Sequence, residues 1–285
     1  MYQIIDGKLV SQSVKDRIRN QVAVLKEKGI EITLAVIIVG DDPASRVYVN
    51  NKKKACEYVG FRSLEYALPA STTQDELIGL IRELNDREDV NGILCQLPVP
   101  KHIDDKAVIA AIDVKKDVDA FSSVNVGQIM IGDYDFLPCT PAGVMEMLHY
   151  YDIPVEGKNC VVIGRSNIVG KPMSMLLLHE NGTVTMTHSR TKDLASFTKN
   201  ADILVAAVGK AKFVSADMVK DGAVVIDVGM NRDENGKLCG DVDFNSVKEK
   251  CSFITPVPGG VGPMTIAMLM QNTLKAYEIQ RGGDE

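Results

Sequence analysis

The stretch from Cys160 to Pro172 most constrains the fold of this chain. A short β-branched run ends there in a glycine turn, and Pro172 then opens an apolar helical run. A strand, a glycine turn and a helix in this order are typical of nucleotide-binding folds, which present backbone N–H groups to a phosphate. The glycine pattern is imperfect, because Ser166 replaces one glycine and Gly170 comes one place late. Taken alone, the stretch is more typical of an ordinary strand–helix unit than of a cofactor site.

Further strands are predicted along the chain, most of them from apolar, β-branched runs. They occupy residues 33–39, 63–68, 90–97, 183–187, 203–208 and 224–228. Most lack polar alternation, which is typical of strands covered on both faces, and helical patterns separate them. A chain of 285 residues is long enough for two domains. We therefore predict an α/β fold with two α/β domains, the C-terminal one a Rossmann-like, doubly wound parallel sheet.

Helical periodicity and end signals predict the segments between these strands. Besides the helix after Pro172, the predicted helices are 11–28, 43–59, 74–85, 104–112, 142–150 and 265–280. Asp42 and Gly60 fit the N-cap and the left-handed C-cap of the second helix. Thr73 and Glu76 fit a capping box at the start of the third helix.

Composition and charge argue against several classes of function. The net charge of −6 provides no basic field for nucleic acid or an anionic membrane. No apolar run approaches the about 20 residues of a membrane span, and the first residues do not resemble a signal peptide. The six cysteines form no C-x-x-C pair and the four histidines show no ligand spacing. We therefore expect a cytoplasmic protein with reduced thiols and no metal.

The second predicted helix carries a lysine in an unusual position. Tyr48, Lys52, Ala55 and Val59 lie on one stripe of this helix at 100° per residue. The spacing alone favours a lysine whose ammonium reaches solvent along the edge of the stripe. The sharper hypothesis is a partly desolvated lysine beside an aromatic ring, available for proton transfer.

Polar residues also follow two of the other predicted elements. Gln96 lies at the carboxyl end of its strand, where parallel sheets bind ligands, although a loop-capping role fits it equally well. Asp117 and Asp119 stand beside Lys115 and Lys116. This pattern suggests surface charge first and a ligand-holding carboxylate second.

The end of the strand at 183–187 indicates which dinucleotide would bind. An NAD site usually places an acidic residue there, to bond the ribose 2′-hydroxyl. Here the strand is followed by His188-Ser189-Arg190-Thr191, without an acid. Together with Arg165 in the glycine turn, Ser189 and Arg190 favour NADP, because guanidinium groups suit a 2′-phosphate. The alternative for Arg165 and for Arg190 is an arginine that simply lies at the surface.

The segment 254–265 is the most constrained loop of the chain. Residues 256–263 contain three prolines and three glycines. Such a loop is rigid and has bare backbone, which suits close approach by a planar ligand or cofactor better than a plain connection.

These motifs together resemble one family, the bifunctional methylenetetrahydrofolate dehydrogenase/methenyltetrahydrofolate cyclohydrolases. The motifs are Tyr48-Val-x-x-Lys52, Gln96-Leu-Pro-x-Pro, Lys116-Asp-Val-Asp119, Gly164-x-Ser166-x-Ile168-Val-Gly170-x-Pro172 and the loop Pro256–Thr265. Their order and spacing cover almost the whole chain. The resemblance implies two domains around a cleft, a folate-binding catalytic domain at 1–139 plus 266–285 and an NADP-binding domain at 140–265.

By matching positions, the resemblance also implies a role for each site residue. Lys52 would be the catalytic lysine, Tyr48 would stack on the aminobenzoyl ring, and Gln96 would hydrogen-bond Lys52. Asp119 would complete this catalytic group and grip the amino-pyrimidine edge of the pterin. The further substrate contacts would be Leu97, Pro98, Pro258, Gly259, Gly260 and Val261. The cofactor contacts would be Gly164, Arg165, Ser166, Ile168, Ser189, Arg190, Gly209, Met230 and Thr265.

One residue departs from the family pattern. The family usually has glycine after the pterin-binding aspartate, and this chain has Ala120. If the position requires a positive φ, alanine would cost about 1 kcal/mol and could shift Asp119 slightly.

The resemblance implies two reactions in one cleft, within one-carbon metabolism and purine biosynthesis. They are the NADP-dependent oxidation of 5,10-methylenetetrahydrofolate and the hydrolysis of the methenyl product to 10-formyltetrahydrofolate. It also implies a homodimer with a folate substrate and no nucleic-acid or membrane partner. The alternatives are dehydrogenase activity alone, another two-domain NADP dehydrogenase of the shikimate dehydrogenase type, and a non-enzymatic nucleotide-sensing module.

Overall fold

A computed structural model of the protein describes residues 2–282, apart from the side chain of Ala44. Its contacts divide the chain into two compact units. The first contains the chain up to Ser11 together with Pro138–Thr265, and the second contains Gln12–Leu137 together with the chain from Ile266 onward. Each unit has its own parallel sheet, so the predicted α/β fold class with two α/β domains is confirmed.

The second unit is built on a three-stranded parallel sheet. Its strands are β2 (Thr33–Val39), β3 (Arg62–Leu68) and β4 (Gly92–Cys95), in the order β3-β2-β4. Every residue of the central β2 is buried, as its unbroken apolar run predicts. The helices that contribute to this unit are α1 (Gly7–Glu27), α2 (Pro43–Val59), α3 (Gln74–Asp86), α4 (Asp105–Ala111), α5 (Ser123–Ile131) and α10 (Val261–Gln280).

The predicted caps of α2 and α3 are confirmed. The Asp42 carboxylate accepts the N–H of Ser45 at 2.7 Å, and Gly60 ends α2 with φ of 89°. At the start of α3, Thr73 and Glu76 exchange both hydrogen bonds of a capping box. These bonds connect residues three positions apart, which explains why the sequence alone is sufficient to predict them.

The first unit is built on a six-stranded parallel sheet in the order β1-β11-β8-β7-β5-β6. Its strands are β1 (Gln3–Ile4), β5 (Asn159–Ile163), β6 (Thr183–Thr187), β7 (Ile203–Ala206), β8 (Ala223–Asp227) and β11 (Cys251–Ile254). A short antiparallel pair joins β9 (Asn231–Arg232) to β10 (Leu238–Cys239). The helices of this unit are α6 (Cys139–Tyr150), α7 (Gly170–His179), α8 (Leu194–Thr198) and α9 (Phe244–Val247), and the first turn of α10 also lies in it.

The predicted start of the first helix at Ser11 is wrong, because α1 begins at Gly7. The Asp6 carboxylate caps this earlier start by accepting the N–H groups of Lys8 and Leu9 at 2.9 and 3.2 Å. Gly7 also lies so close to Gly260 that a Cβ on it would be 1.7 Å from the Gly260 carbonyl oxygen. The described residues up to Ser11 therefore group with the second half of the chain, whereas the predicted folate-binding region begins at residue 1.

Other elements also differ from the prediction, among them α10, β4 and α5. The last helix, α10, begins at Val261 rather than at residue 265, so the constrained loop ends four residues earlier than expected. The strand predicted at 90–97 is reduced to β4, since its pairing with β2 ends at Cys95. Helix α5 was missed because its apolar residues show no clear stripe, although Ser122 and Gly132 cap its two ends.

Within the described chain, none of the helices combines the length and apolar character that a membrane span requires.

Candidate active site

The buried Lys52 and the partly buried Gln96 form a polar pair in the second unit. Lys52 lies on α2 with only 9% of its surface exposed, and its Nζ donates to Gln96 Oε1 at 2.8 Å. Gln96 follows β4, and its Nε2 donates to the Leu97 carbonyl oxygen at 2.7 Å. Because Leu97 holds the amide nitrogen, the amide oxygen is the atom that faces the ammonium group. The prediction from spacing alone, that Lys52 extends to solvent, is therefore wrong.

Two further side chains border this pair. Tyr48 lies one turn before Lys52 and is 38% exposed, and burial of its ring raises the pKa of the hydroxyl. Cys95 ends β4, and burial raises the pKa of its thiol to about 12, with Asp119 also raising it and Lys52 lowering it. A neutral thiol thus lies within electrostatic reach of both Lys52 and Asp119. Sequence reasoning missed Cys95, although it immediately precedes Gln96.

The turn that carries Asp119 is strained at the neighbouring residue. Ala120 is fully buried and has φ of 58°, in the left-handed region that favours glycine. The condition under which alanine would cost about 1 kcal/mol is therefore met. Asp119 itself is half-buried.

Buried hydrogen bonds hold this turn in place. Lys116 is 7% exposed, and its Nζ donates to carbonyl oxygens at the end of α3, those of Leu84, Asn85 and Arg87, at 3.1, 2.7 and 2.7 Å. Burial lowers the pKa of Lys116. The prediction that Lys116 is a charged surface residue is therefore wrong.

Asp117 is buried in the same way. Its carboxylate accepts the N–H of Ser122 at 2.8 Å and Nδ2 of Asn125 at 2.9 Å, at the start of α5. The surface charge predicted for this residue is wrong too.

Helix α10 supplies a contact that the sequence did not indicate. Asn272 is 5% exposed, and its Nδ2 donates to the carbonyl oxygens of Val118 and Leu137 at 2.8 Å each. Val118 immediately precedes Asp119, so this amide fixes the backbone next to the predicted pterin-binding carboxylate. The two partners of Asn272 lie more than 130 positions away along the chain, and no local pattern predicts such a contact.

The glycine turn of the first unit requires its two glycines because the backbone segments nearly touch. A Cβ on Gly164 would lie 2.3 Å from the Ala207 carbonyl oxygen, and one on Gly170 would lie 2.3 Å from the Gly164 carbonyl oxygen. Ser166 replaces the middle glycine with a useful hydroxyl, because its Oγ accepts the N–H groups of Val169 and Gly170 at 3.2 Å each. These two N–H groups are thus engaged inside the turn rather than offered to a phosphate, contrary to expectation.

The predicted cofactor residues gather at one edge of the six-stranded sheet. All of them except Thr265 follow the carboxyl ends of β5, β6, β7 and β8, which are neighbours in the order β8-β7-β5-β6. The chain order reverses between β5 and β7, where open α/β sheets bind their ligands. The exposed members are Arg165, Ser166, Ile168, Ser189, Arg190, Gly209 and Met230.

This edge fits a dinucleotide with an added phosphate. No acidic side chain follows β6 where an NAD ribose would need one, and two exposed arginines, Arg165 and Arg190, follow β5 and β6. Gly209 has open space where a side chain would project, so a ligand can approach its backbone. Among residues 2–282, no group of three or more His, Cys, Asp or Glu side chains could hold a metal ion.

The loop before α10 belongs to the same unit as these cofactor residues. Gly259 has φ of 105°, and a Cβ on Gly262 would meet the Met230 methyl carbon at 3.3 Å. The hydroxyl groups of Thr265 and Thr140 lie 3.0 Å apart. The predicted substrate residues of this loop, Pro258 to Val261, are thus next to predicted cofactor residues within one unit.

Two family models match the chain. The tetrahydrofolate dehydrogenase/cyclohydrolase catalytic domain matches residues 5–119, and the NAD(P)-binding domain of the same family matches residues 138–281. Together they cover both halves of the chain.

Individual relatives match over nearly their full length. The chain is 63% identical to the bifunctional protein FolD of Agathobacter rectalis over 278 residues, 98% of this chain and 100% of the relative. It is similar to the crystal structure of the bifunctional FolD methylenetetrahydrofolate dehydrogenase/cyclohydrolase of Campylobacter jejuni, with 50% identity, a TM-score of 0.96, and coverage of 98% and 100%. FolD of Trypanosoma brucei, solved with NADP and an inhibitor, has 39% identity, a TM-score of 0.94 and coverage of 99% for both chains.

Proposed function

Because this chain belongs to the tetrahydrofolate dehydrogenase/cyclohydrolase family, we propose that it oxidises 5,10-methylenetetrahydrofolate with NADP and hydrolyses the methenyl product to 10-formyltetrahydrofolate. The observation that carries this proposal is the hydrogen bond that the buried Lys52 donates from Nζ to Gln96 Oε1. A catalytic and an NAD(P)-binding model of the same family both match, which disfavours an enzyme of the shikimate dehydrogenase type and a non-enzymatic sensing module.

Lys52 is the residue we assign to the hydrolytic step. Water attacks the cationic methenyl carbon and the carbon–nitrogen bond to the ring nitrogen breaks. One proton of the water leaves to solvent as the formyl group forms, and the other passes to that nitrogen. A lysine that is mostly shielded from solvent can accept and return this proton at Nζ. Gln96 suits the task because a neutral amide oxygen orients the ammonium group without adding a negative charge that would hold the proton on it.

The remaining substrate contacts are proposed from the same resemblance. Tyr48 offers a half-exposed ring one turn from Lys52 for stacking on the aminobenzoyl group. Asp119 offers a carboxylate for the amino-pyrimidine edge of the pterin. Leu97, Pro98 and the segment Pro258–Val261 complete the proposed folate contacts. In this proposal, residues 1–139 with 266–285 bind folate and residues 140–265 bind NADP.

The oxidation requires little chemistry from the protein itself. NADP, when bound, takes up the hydride from the one-carbon bridge of the substrate. Arg165, Ser189 and Arg190 would hold its 2′-phosphate, and Gly209 would let its backbone approach it closely. Gly164 is a further proposed contact. The other proposed contacts of this group are Ser166, Ile168, Met230 and Thr265. The protein's task is to position the two reactants and exclude water.

Two assays on one preparation test the proposal. Oxidation is followed as NADPH formation from 5,10-methylenetetrahydrofolate, with NAD as the comparison, and hydrolysis as the loss of absorbance of added methenyltetrahydrofolate. Lys52→Met should reduce hydrolysis by about 100-fold or more, since general acid–base groups contribute about 10²–10⁴-fold. Lys53→Met is the matched control, because Lys53 is the exposed neighbour and should leave both activities unchanged. Normal hydrolysis by Lys52→Met would refute the assignment.

We further propose that the protein is a cytoplasmic homodimer, as the family resemblance implies. Light scattering on the purified protein should give twice the 31.0 kDa of one chain. A monomer that retains both activities would contradict the dimer without affecting the enzymatic proposal.

A further inference from the structure

The buried carboxylate of Asp241 joins two loops at the proposed cofactor edge. Asp241 is fully buried, and its Oδ2 accepts the N–H groups of Val208 and Gly209 at 2.6 and 3.0 Å. Its Oδ1 accepts the N–H of Lys210 at 2.9 Å and Nδ2 of Asn231 at 2.9 Å. One side chain thus receives four hydrogen bonds from the loops that follow β7 and β8.

Three of these donors are consecutive backbone N–H groups. Gly209 has φ of 65°, and this left-handed residue helps to turn the N–H groups of Val208, Gly209 and Lys210 toward one point. Such a concavity binds anions. Here Asp241, a side chain of the same protein, occupies it. The segment therefore does not offer these groups to a phosphate and presents its open side at Gly209 instead.

A second buried carboxylate fixes the backbone of Asp241. Asp227, at the end of β8, is 3% exposed and accepts the N–H groups of Gly229, Asp241 and Val242 at 2.9, 2.8 and 2.9 Å. Burial raises the pKa of Asp227 to about 6; the three N–H donors oppose this rise, and the nearby Asp241 contributes to it.

The packing around both carboxylates leaves no room for larger residues. A Cβ on Gly229 would lie 2.3 Å from Asp241 Oδ1, and one on Gly240 would lie 1.8 Å from Asp227 Oδ2. Asp241 therefore has essentially one position available.

We propose that Asp241 is a positioning residue for NADP, because its carboxylate sets the loop around Gly209 and the loop around Met230 in one fixed arrangement. This inference rests on the proposed function, which takes Gly209 and Met230 as cofactor contacts. The backbone partners of Asp241 lie in the loop after β7, and Asn231 lies in the short strand β9, whereas β7 and β8 are paired with each other by their own backbone. Loss of the carboxylate should therefore disturb the loops more than the sheet.

The test replaces the carboxylate of Asp241 with an amide of nearly the same shape. In Asp241→Asn the amide nitrogen must face N–H donors, so about half of the four hydrogen bonds are lost. The dissociation constant for NADPH, measured by the change in nicotinamide fluorescence, should rise about 10-fold or more, and the KM for NADP should rise with it. Because the chain contains no tryptophan, this fluorescence is free of indole background. Hydrolysis of methenyltetrahydrofolate needs no cofactor and should stay within about 2-fold of the parent.

Two companion variants make the result decisive. Asp233→Asn is the matched control, because the Asp233 carboxylate accepts the N–H groups of Asn235 and Lys237 at 3.0 and 2.9 Å within the β9–β10 turn. It should leave the NADPH dissociation constant unchanged. Asn231→Ala removes one of the four donors to Asp241 and should weaken NADPH binding about 3-fold. It decides the matter if Asp241→Asn does not fold.

The outcomes separate this inference from the proposed function. A folded Asp241→Asn that binds NADPH as tightly as the parent overturns the positioning role, and so does a parallel loss of both activities. If Asp241→Asn does not fold, unchanged NADPH binding by Asn231→Ala overturns it. A parent protein that neither binds NADPH nor acts on folates overturns the proposed function itself.

Discussion

Replacing Gln96 by glutamate tests whether Lys52 must give up its proton during hydrolysis. Glutamate keeps the shape of the side chain and places a carboxylate about 3 Å from Nζ, where the amide oxygen now lies 2.8 Å away. A negative charge at this distance stabilises the charged lysine. If hydrolysis needs Lys52 in its neutral form for part of the cycle, the variant should be slow.

The size of the effect follows from the distance and the burial. Two unit charges at about 3–4 Å attract by about 4–6 kcal/mol at an effective dielectric constant near 20, which suits a site that is only 9% exposed. Glutamate also removes the N–H that Gln96 donates to the Leu97 carbonyl oxygen, which costs about 1–3 kcal/mol and favours the protonated carboxyl. Subtracting the middle of this cost range, about 2 kcal/mol, leaves about 2–4 kcal/mol, or about 30- to 1000-fold in the fraction of neutral lysine.

We therefore expect Gln96→Glu to hydrolyse methenyltetrahydrofolate about 30- to 1000-fold more slowly at neutral pH and to recover part of this loss as the pH rises. Gln96→Met is the matched comparison, because it loses both hydrogen bonds but adds no charge and should show no displaced pH profile. NADPH formation should change less than about 10-fold in either variant. Parental hydrolysis by Gln96→Glu, or identical pH profiles for the two variants, would refute the reasoning.

Three further predictions concern the fold around the two sites. Gly170→Ala should weaken NADPH binding at least about 10-fold in a fluorescence titration and destabilise the protein by about 1–3 kcal/mol, because its Cβ would lie 2.3 Å from the Gly164 carbonyl oxygen. The control is Gly127→Ala in α5, which should change neither property, because a Cβ there meets no atom within 4 Å. The free energy of unfolding of Ala120→Gly, measured in urea, should lie within about 1 kcal/mol of the parent, since relief of the positive φ offsets the added entropy of the unfolded chain. A loss of stability above about 2 kcal/mol would contradict backbone strain at this residue. Because burial raises the pKa of Asp227 from 3.8 to about 6, the stability it contributes is present below about pH 4 and lost as the pH rises through 6. The parent should therefore lose about 3 kcal/mol relative to Asp227→Asn between pH 4 and 7.5, and a constant difference would contradict the raised pKa.

Local chemistry made much of the fold predictable. The buried run Thr33–Val39 and the strand Thr183–Thr187 have the predicted bounds, and the caps at Asp42 and Thr73 form as expected. Each of these features depends on side-chain type within a few residues. The predicted start of α1 is wrong because the prediction did not include Asp6 as the N-terminal cap. The hydrogen bonds from the N–H groups of Lys8 and Leu9 to Asp6 are just as local.

The candidate site was less predictable than the fold, because the charge of a side chain favours an exposed position. Lys52, Lys116 and Asp117 are therefore predicted at the surface, since a charged side chain is rarely buried without a partner, but all three are buried. Their partners are Gln96, the carbonyl oxygens at the end of α3, and the start of α5. The resemblance to a family supplied the pair of Lys52 and Gln96, whereas periodicity alone pointed the lysine toward solvent.

The sequence by itself determined the α/β class, the parallel strands and the residues at their carboxyl ends, because periodicity and capping act over a few neighbouring residues. Only the tertiary structure decided which polar groups are buried and what satisfies them. Lys52 meets an acceptor 44 positions away, and Asp241 meets loop N–H groups 31 to 33 positions away. A buried charge is tolerated only where such distant partners converge, and that convergence exists only after the chain has folded.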